Sequence, residues 1–92
     1  MYYVLLYDYV EGIVEKRAPF REGHLGLLTE LRDKGQVVMA GAWANPPDGA
    51  AIVFKADSPE VVEQFVASDP YVANGLVPGH RIKEWTVVLG GD

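Results

Sequence analysis

The sequence predicts an α+β fold, a four-stranded antiparallel sheet with two helices on one of its faces. Three observations lead there. Four segments dense in aromatic and branched aliphatic residues read as strands, and two segments carry apolar residues at helical spacing. Their order is strand, helix, strand, strand, helix, strand. That order is the split β-α-β arrangement of the ferredoxin-like fold, in which right-handed crossovers bring both helices to the same face.

The first strand runs from Tyr2 to Tyr9 and is ended by the polar, glycine-containing stretch from Asp8 to Glu15. From about Pro19 to Lys34 the apolar residues Phe20, Leu27, Leu28 and Leu31 fall at helical spacing with His24 counted inward, and Pro19 suits a first turn. Gly35, after Arg32 and Lys34, reads as the stop: cations sit at the carbonyl end, and glycine turns left-handed without steric cost. Gln36 to Ala44 is the second strand. Asn45-Pro46-Pro47-Asp48-Gly49 is dense in turn residues and leads as a hairpin into the third strand, Ala51 to Lys55. Ser58-Pro59-Glu60 opens the second helix, with the serine oxygen as a cap and proline in the first turn. That helix runs to about Ala67 with Val61, Val62, Phe65 and Val66 inward. Asp69 to Leu76 is irregular or one short helical turn, and Arg81 to Leu89 is the last strand.

Composition bounds the function. The 92 residues, 49% hydrophobic and 23% charged, are expected to form a single domain over residues 1–92. A chain of this length buries only roughly 60–65% of its unfolded surface, so a partner subunit would add useful burial. No run approaches the roughly 18 apolar positions of a membrane span, and the start Met1-Tyr2-Tyr3-Val4 lacks the basic residues of a secretory signal, so no membrane partner and a cytoplasmic location are expected. The absence of cysteine removes disulfides, thiolate ligands and thiol nucleophiles. A net charge of -5, with eight scattered basic residues, offers no footprint for a nucleic acid backbone.

Both faces of the sheet read as apolar. Tyr3, Leu5, Tyr7 and Tyr9 oppose Tyr2, Val4 and Leu6 in the first strand, and strict alternation sets Val37, Met39 and Trp43 against Val38, Ala40 and Ala42 in the second. A sheet with one face in water alternates with polar residues, so the helix-free face is expected to be covered. A second copy of the chain is the natural cover, sheet against sheet in a two-fold dimer.

His24 is the residue that stands out, a titratable group on a leucine stripe. It has two readings of equal standing: a core histidine bonded to a backbone carbonyl, or an acid–base group whose proton affinity is set by a neighbouring carboxylate. Asp69, followed by Pro70 and Tyr71, is a good helix N-cap by itself. Because the two helices share a sheet face, the loop ending the second can reach the first, and Asp69 could then orient and charge-stabilise His24. Arg17, Arg21, His24, Leu28 and Leu31 form one line if the first helix already includes position 17. Arg21 then sits one turn before His24, where it either contacts an anionic ligand or pairs with Glu15, Glu22 or Asp69. Tyr71 either donates to an oxyanion, stacks on a ring or simply packs in its turn. Gly41, inside a strand, marks a bulge or a close approach to ligand, with packing room as the plainer explanation. No nucleophile is evident: Thr29, Ser58 and Ser68 have ordinary structural places. His80 lies on the last strand, and no His-x-x-x-His or acidic cluster supplies three ligands, so neither metal nor cofactor is called for.

The pattern Arg21-x-x-His24-Leu25, Gly41 in the second strand, and Asp69-Pro70-Tyr71 followed by Val72-Ala73 and Gly75 resembles the YciI-like (YCII-related) family over essentially the full chain. The resemblance implies a ferredoxin-like domain pairing as a dimeric α/β barrel, with a pocket between the sheet and its helices. It implies that His24 and Asp69 are the catalytic pair, and that the chemistry is lyase- or hydrolase-like work on small, often ring-derived molecules. One departure stands out. The connection between Trp43 and Ile52 is short where many relatives carry a longer, glycine-rich one, which removes any substrate contacts from that loop.

Two functional readings follow. One is a small-molecule enzyme in which His24 is general acid or base, Asp69 orients it, and Arg21, Tyr71 and Gly41 bind substrate; with no nucleophile, elimination or isomerisation fits better than hydrolysis. The other is a ligand-binding or accessory dimeric module using the same pocket without turnover.

Overall fold

The computed structural model describes residues 1–91. Four strands form one sheet: β1 (Tyr2–Asp8), β2 (Val37–Ala42), β3 (Gly49–Lys55) and β4 (Gly79–Trp85). They lie in the order β2-β3-β1-β4 with every neighbouring pair antiparallel, which is the predicted ferredoxin-like topology. Two longer helices, α2 (Arg21–Asp33) and α3 (Glu60–Ser68), carry the crossovers, and two single-turn helices, α1 (Ile13–Lys16) and α4 (Pro70–Ala73), flank them. No helix among the described residues is long and apolar enough to cross a membrane.

Alternation along β1 decides which residues meet the helices. Tyr3, Leu5 and Tyr7 are buried beneath them, level with Phe54, Ile52 and Ala50 of β3. Leu28 of α2 and Val62, Phe65 and Val66 of α3 close over this layer, with the rings of Phe54 and Phe65 5.7 Å apart. Each fully buried large side chain contributes on the order of 1.5–3 kcal/mol, so this layer is the main source of stability. A second cluster, Ile13, Tyr71 and Leu76, seats α4 against α1. It fixes the turn that carries Asp69.

The first long helix ends as its sequence predicts. Gly35 takes a φ of 78°, its N–H donates to Arg32 O at 2.9 Å, and the N–H of Gln36 donates to Leu31 O at 2.8 Å, the double bond pattern of a left-handed helix cap. Its start differs. Proline 19 has no N–H to continue the turn begun at Ile13, so the chain passes through a 3-10 turn at Ala18–Phe20 and restarts as α2 at Arg21. Arg17 therefore caps α1 and is not part of the helix that carries His24.

Two strand expectations are corrected. Strand β2 has a bulge between Val37 and Met39, so Val37 joins Ala40 and Ala42 toward the helices, and strict alternation fails. The last strand stops at Trp85, well short of Leu89, because its one neighbour, β1, ends at Tyr2, which pairs with Trp85. The described residues beyond it, 86–91, have no regular structure, and the Tyr2 hydroxyl donates to Gly91 O.

The helix-free face is mixed. Val4, Leu6 and Val53 are half-buried there, Met39, Trp43 and Trp85 are 64%, 48% and 48% exposed, and Lys55 at the end of β3 and Arg81 and Lys83 on β4 add cations.

Position 49 accepts no side chain. A Cβ there would stand 2.5 Å from Tyr7 O and 2.7 Å from Trp43 Nε1, because the indole of Trp43 lies over it. We expect Gly49→Ala to destabilise the domain by about 1–3 kcal/mol through forced displacement of the indole and the β1 backbone. Urea denaturation reads this as a lower midpoint at an unchanged m-value; an unaltered midpoint would contradict it.

Candidate active site

Asp69 is the centre from which the site is built. It is 0% exposed, takes an extended conformation after α3 and caps α4, where Pro70 fills the first position. Its Oδ1 accepts the N–H of Tyr71 at 3.0 Å and lies 2.9 Å from His24 Nδ1, while Oδ2 accepts the Tyr7 hydroxyl at 2.8 Å. Three donors from β1, α2 and α4 thus converge on one carboxylate. The cap expected of Asp69 is present, and the same Oδ1 also bonds the His24 ring.

His24 is 6% exposed and reaches Asp69 because it lies one turn before Leu28 on the buried stripe of α2. Its partner accepts, so Nδ1 is the donating nitrogen of this bond, and Nε2 is the nitrogen that is not committed to Asp69. Packing holds the ring plane. The ring of Tyr71 stacks on it at 3.9 Å with an interplanar angle of 5°, and Phe65 meets it edge-on at 6.0 Å. Nε2 has no hydrogen-bond partner among the described residues, yet no buried side-chain nitrogen or oxygen there lacks one, so Nε2 is open to solvent.

His24 borders a cleft of about 170 Å³, between α2 and the β2-β3 edge of the sheet. Its other walls are Leu25, Leu28, Ala40, Gly41, Ala42, Ala50 and Ile52, with Tyr9, Arg17, Arg21 and Tyr71 beside them. The lining holds no serine, threonine or carboxylate. The phenols are held neutral. Burial, then the Asp69 charge, push Tyr7 well above the ordinary phenol range; burial, then Tyr71, push Tyr9 up to about 12. Burial also raises Tyr71, against the downward pull of Arg17 and Arg21.

Arg21, His24, Tyr71 and Gly41 all line the one cleft, with Asp69 directly behind His24. Arg17 reaches the same cleft from outside the helix. Gly41 is explained neither by a bulge, which lies nearer Val37, nor by packing room, since a Cβ there would meet nothing within 4 Å; its place is on the cleft wall. Ser68 faces a different hollow, and the Thr29 hydroxyl donates to Leu25 O at 2.8 Å. Sequence reasoning missed Tyr7, Tyr9 and Phe65. Tyr7 had a usable signal, since a hydroxyl on the core face of a central strand needs a partner as much as an inward histidine does.

The YCII-related domain family matches residues 1–86. The protein YciI of Escherichia coli is 29% identical over 98 residues, covering 97% of this chain and 100% of its own. An uncharacterized protein of Haemophilus influenzae is 28% identical with the same coverage. Among solved structures, 5-chloro-2-hydroxyhydroquinone dehydrochlorinase from Burkholderia phenoliruptrix, in complex with 2,5-dihydroxybenzoquinone, is similar with a TM-score of 0.79 at 21% identity, over 94% of both chains. That likeness shows the same fold.

Removing Asp69 leaves a buried hydroxyl, an amide and an imidazole without their acceptor. We expect Asp69→Ala to cost about 3–5 kcal/mol, against about 1–2 kcal/mol for Tyr7→Phe, which deletes one donor. The Tyr7 phenol titrates at 10.0 when unfolded and higher when folded, so the native state keeps a proton that the unfolded chain loses. Its contribution is fully present below about pH 10 and falls as pH rises beyond it. Urea denaturation between about pH 9 and about pH 11 checks this: Tyr7→Phe flattens the alkaline loss, and a slope equal to that of the unsubstituted protein would refute the coupling.

Proposed function

The chain belongs to the YCII-related domain family, and from that premise we propose that it is a small-molecule enzyme of general acid–base type, with His24 moving the proton and Asp69 positioning it. The observation that carries this reading is the 2.9 Å bond from His24 Nδ1 to Asp69, which leaves Nε2 uncommitted on a residue that lines the cleft. In it, Nε2 takes a proton from a substrate carbon or hydroxyl, the Asp69 charge stabilises the imidazolium, and the same nitrogen returns the proton to another atom or to a leaving group. Tyr71 holds the imidazole plane, and Gly41 borders the substrate. Elimination or isomerisation fits better than hydrolysis, because no nucleophile lines the cleft. The dehydrochlorinase that shares the fold, seen with 2,5-dihydroxybenzoquinone, supports chemistry of that class on a small ring.

The proposed working unit is a homodimer. Met39, Trp43 and Trp85 on the helix-free face, with the half-buried Val4, Leu6 and Val53 between them, favour burial against the same face of a second copy. Sedimentation of the protein at micromolar concentration should then give a dimer, and Met39→Asp should shift it toward monomer. A stable monomer of the unsubstituted protein would overturn this part.

The catalytic reading is tested with small enolisable molecules, headed by 5-chloro-2-hydroxyhydroquinone, incubated in D2O and followed by NMR for deuterium uptake or chloride loss. His24→Ala should slow turnover by about 10²-fold or more while the far-ultraviolet spectrum stays native. Turnover unchanged in that variant would leave the site a binding pocket.

A further inference from the structure

The two arginines at the cleft are uncompensated. Arg17 is half-buried and Arg21 exposed, and neither lies within 4.0 Å of a carboxylate among the described residues, although Glu15 and Glu22 are close in sequence. Arg21 also opens α2, where the positive end of the helix dipole disfavours a cation. Two guanidinium groups thus border one cleft with no carboxylate within ion-pair distance among the described residues, and an anionic occupant of the cleft can pair with both. Both line the cleft beside Tyr71. They pull the Tyr71 phenol in the same direction, and Arg17 pulls Tyr9 likewise, which brings two phenolic donors into the same field.

We propose that Arg17 and Arg21 form an anion subsite beside His24, so that the substrate is a small carboxylate or enolate held by its charged oxygens while His24 handles the proton. This deepens the acid–base reading and, as a statement about substrate, rests on it. Guanidinium groups suit such a delocalised oxyanion because their planar donors bond both oxygens, and the neutral phenols of Tyr9 and Tyr71 can add O–H donors. Size sets the other limit. An apolar cavity of about 150 Å³ accepts benzene, so a cleft of about 170 Å³ takes a molecule of one ring or an open-chain acid of similar bulk. Small residues leave that room: Ala40, Gly41, Ala42 and Ala50 make the sheet side of the cleft.

The test uses benzoate and its neutral counterpart benzamide, titrated into 15N-labelled protein and followed by NMR. Benzoate should shift the amides of Gly41 and Tyr71 saturably, bind about tenfold or more tightly than benzamide, and weaken as salt is added. Arg17→Gln/Arg21→Gln should erase that preference, and Arg17→Lys/Arg21→Lys, which keeps the charge, should retain part of it. Equal binding of the two probes, absence of a saturable shift at the cleft, or a preference that survives in the glutamine variant would each overturn the subsite. A surviving preference together with His24-dependent turnover overturns the anion subsite alone. A preference lost in the glutamine variant, together with turnover indifferent to His24→Ala, upholds the subsite and overturns the acid–base reading.

Discussion

A buried carboxylate is the constraint from which the rest of this structure follows. Asp69 has no solvent contact, and an ion in such a place is tolerable only when donors replace its lost hydration. They come from three elements far apart in sequence, Tyr7 on β1, His24 on α2 and the Tyr71 amide on α4. Satisfying the carboxylate therefore fixes where α2 crosses the sheet and how α4 turns. The apolar layer under the helices supplies most of the stability, but hydrophobic contact is non-directional and leaves position loosely determined. The Asp69 network is directional, and it sets the alignment of the helix that carries His24.

The same network explains the asymmetry of the imidazole. One nitrogen is committed to Asp69 and the other is open, while the ring between them is held by Tyr71 on its face and Phe65 on its edge. A ring so held spends little entropy on finding a productive angle, which is what proton transfer across a short distance requires. The neighbouring phenols stay neutral because burial disfavours their anions, so the cleft that His24 borders is also lined by O–H donors and two cations.

The fold was largely legible in the sequence because its signals are local and repeated. Helical spacing places His24 and Leu28 on one buried face, glycine after two cations marks the end of α2, and Asp69 before Pro70 reads as a cap. The errors lie where a neighbour overrides a local signal. Strict alternation misplaced Val37, since a bulge depends on how β2 meets β3. The apolar run to Leu89 looked like strand, yet β4 stops where its partner is exhausted. The condition on which Arg17 would join the His24 helix line is not met, because Pro19 interrupts it, but the 3-10 turn still carries Arg17 to the same cleft.

By itself, the sequence determined the order of elements, the faces that must be buried, and the fact that an inward histidine needs a partner. Periodicity, capping and the desolvation of polar groups act within a few residues or on any fold, so they can be read along one chain. Only the tertiary structure decided that Asp69 serves His24, Tyr7 and its own helix cap at once, that Nε2 is the open nitrogen, and that Arg17 and Arg21 reach one cleft without carboxylate partners among the described residues. These depend on distances between residues up to 62 positions apart, which packing of the sheet and its helices sets and no local pattern encodes.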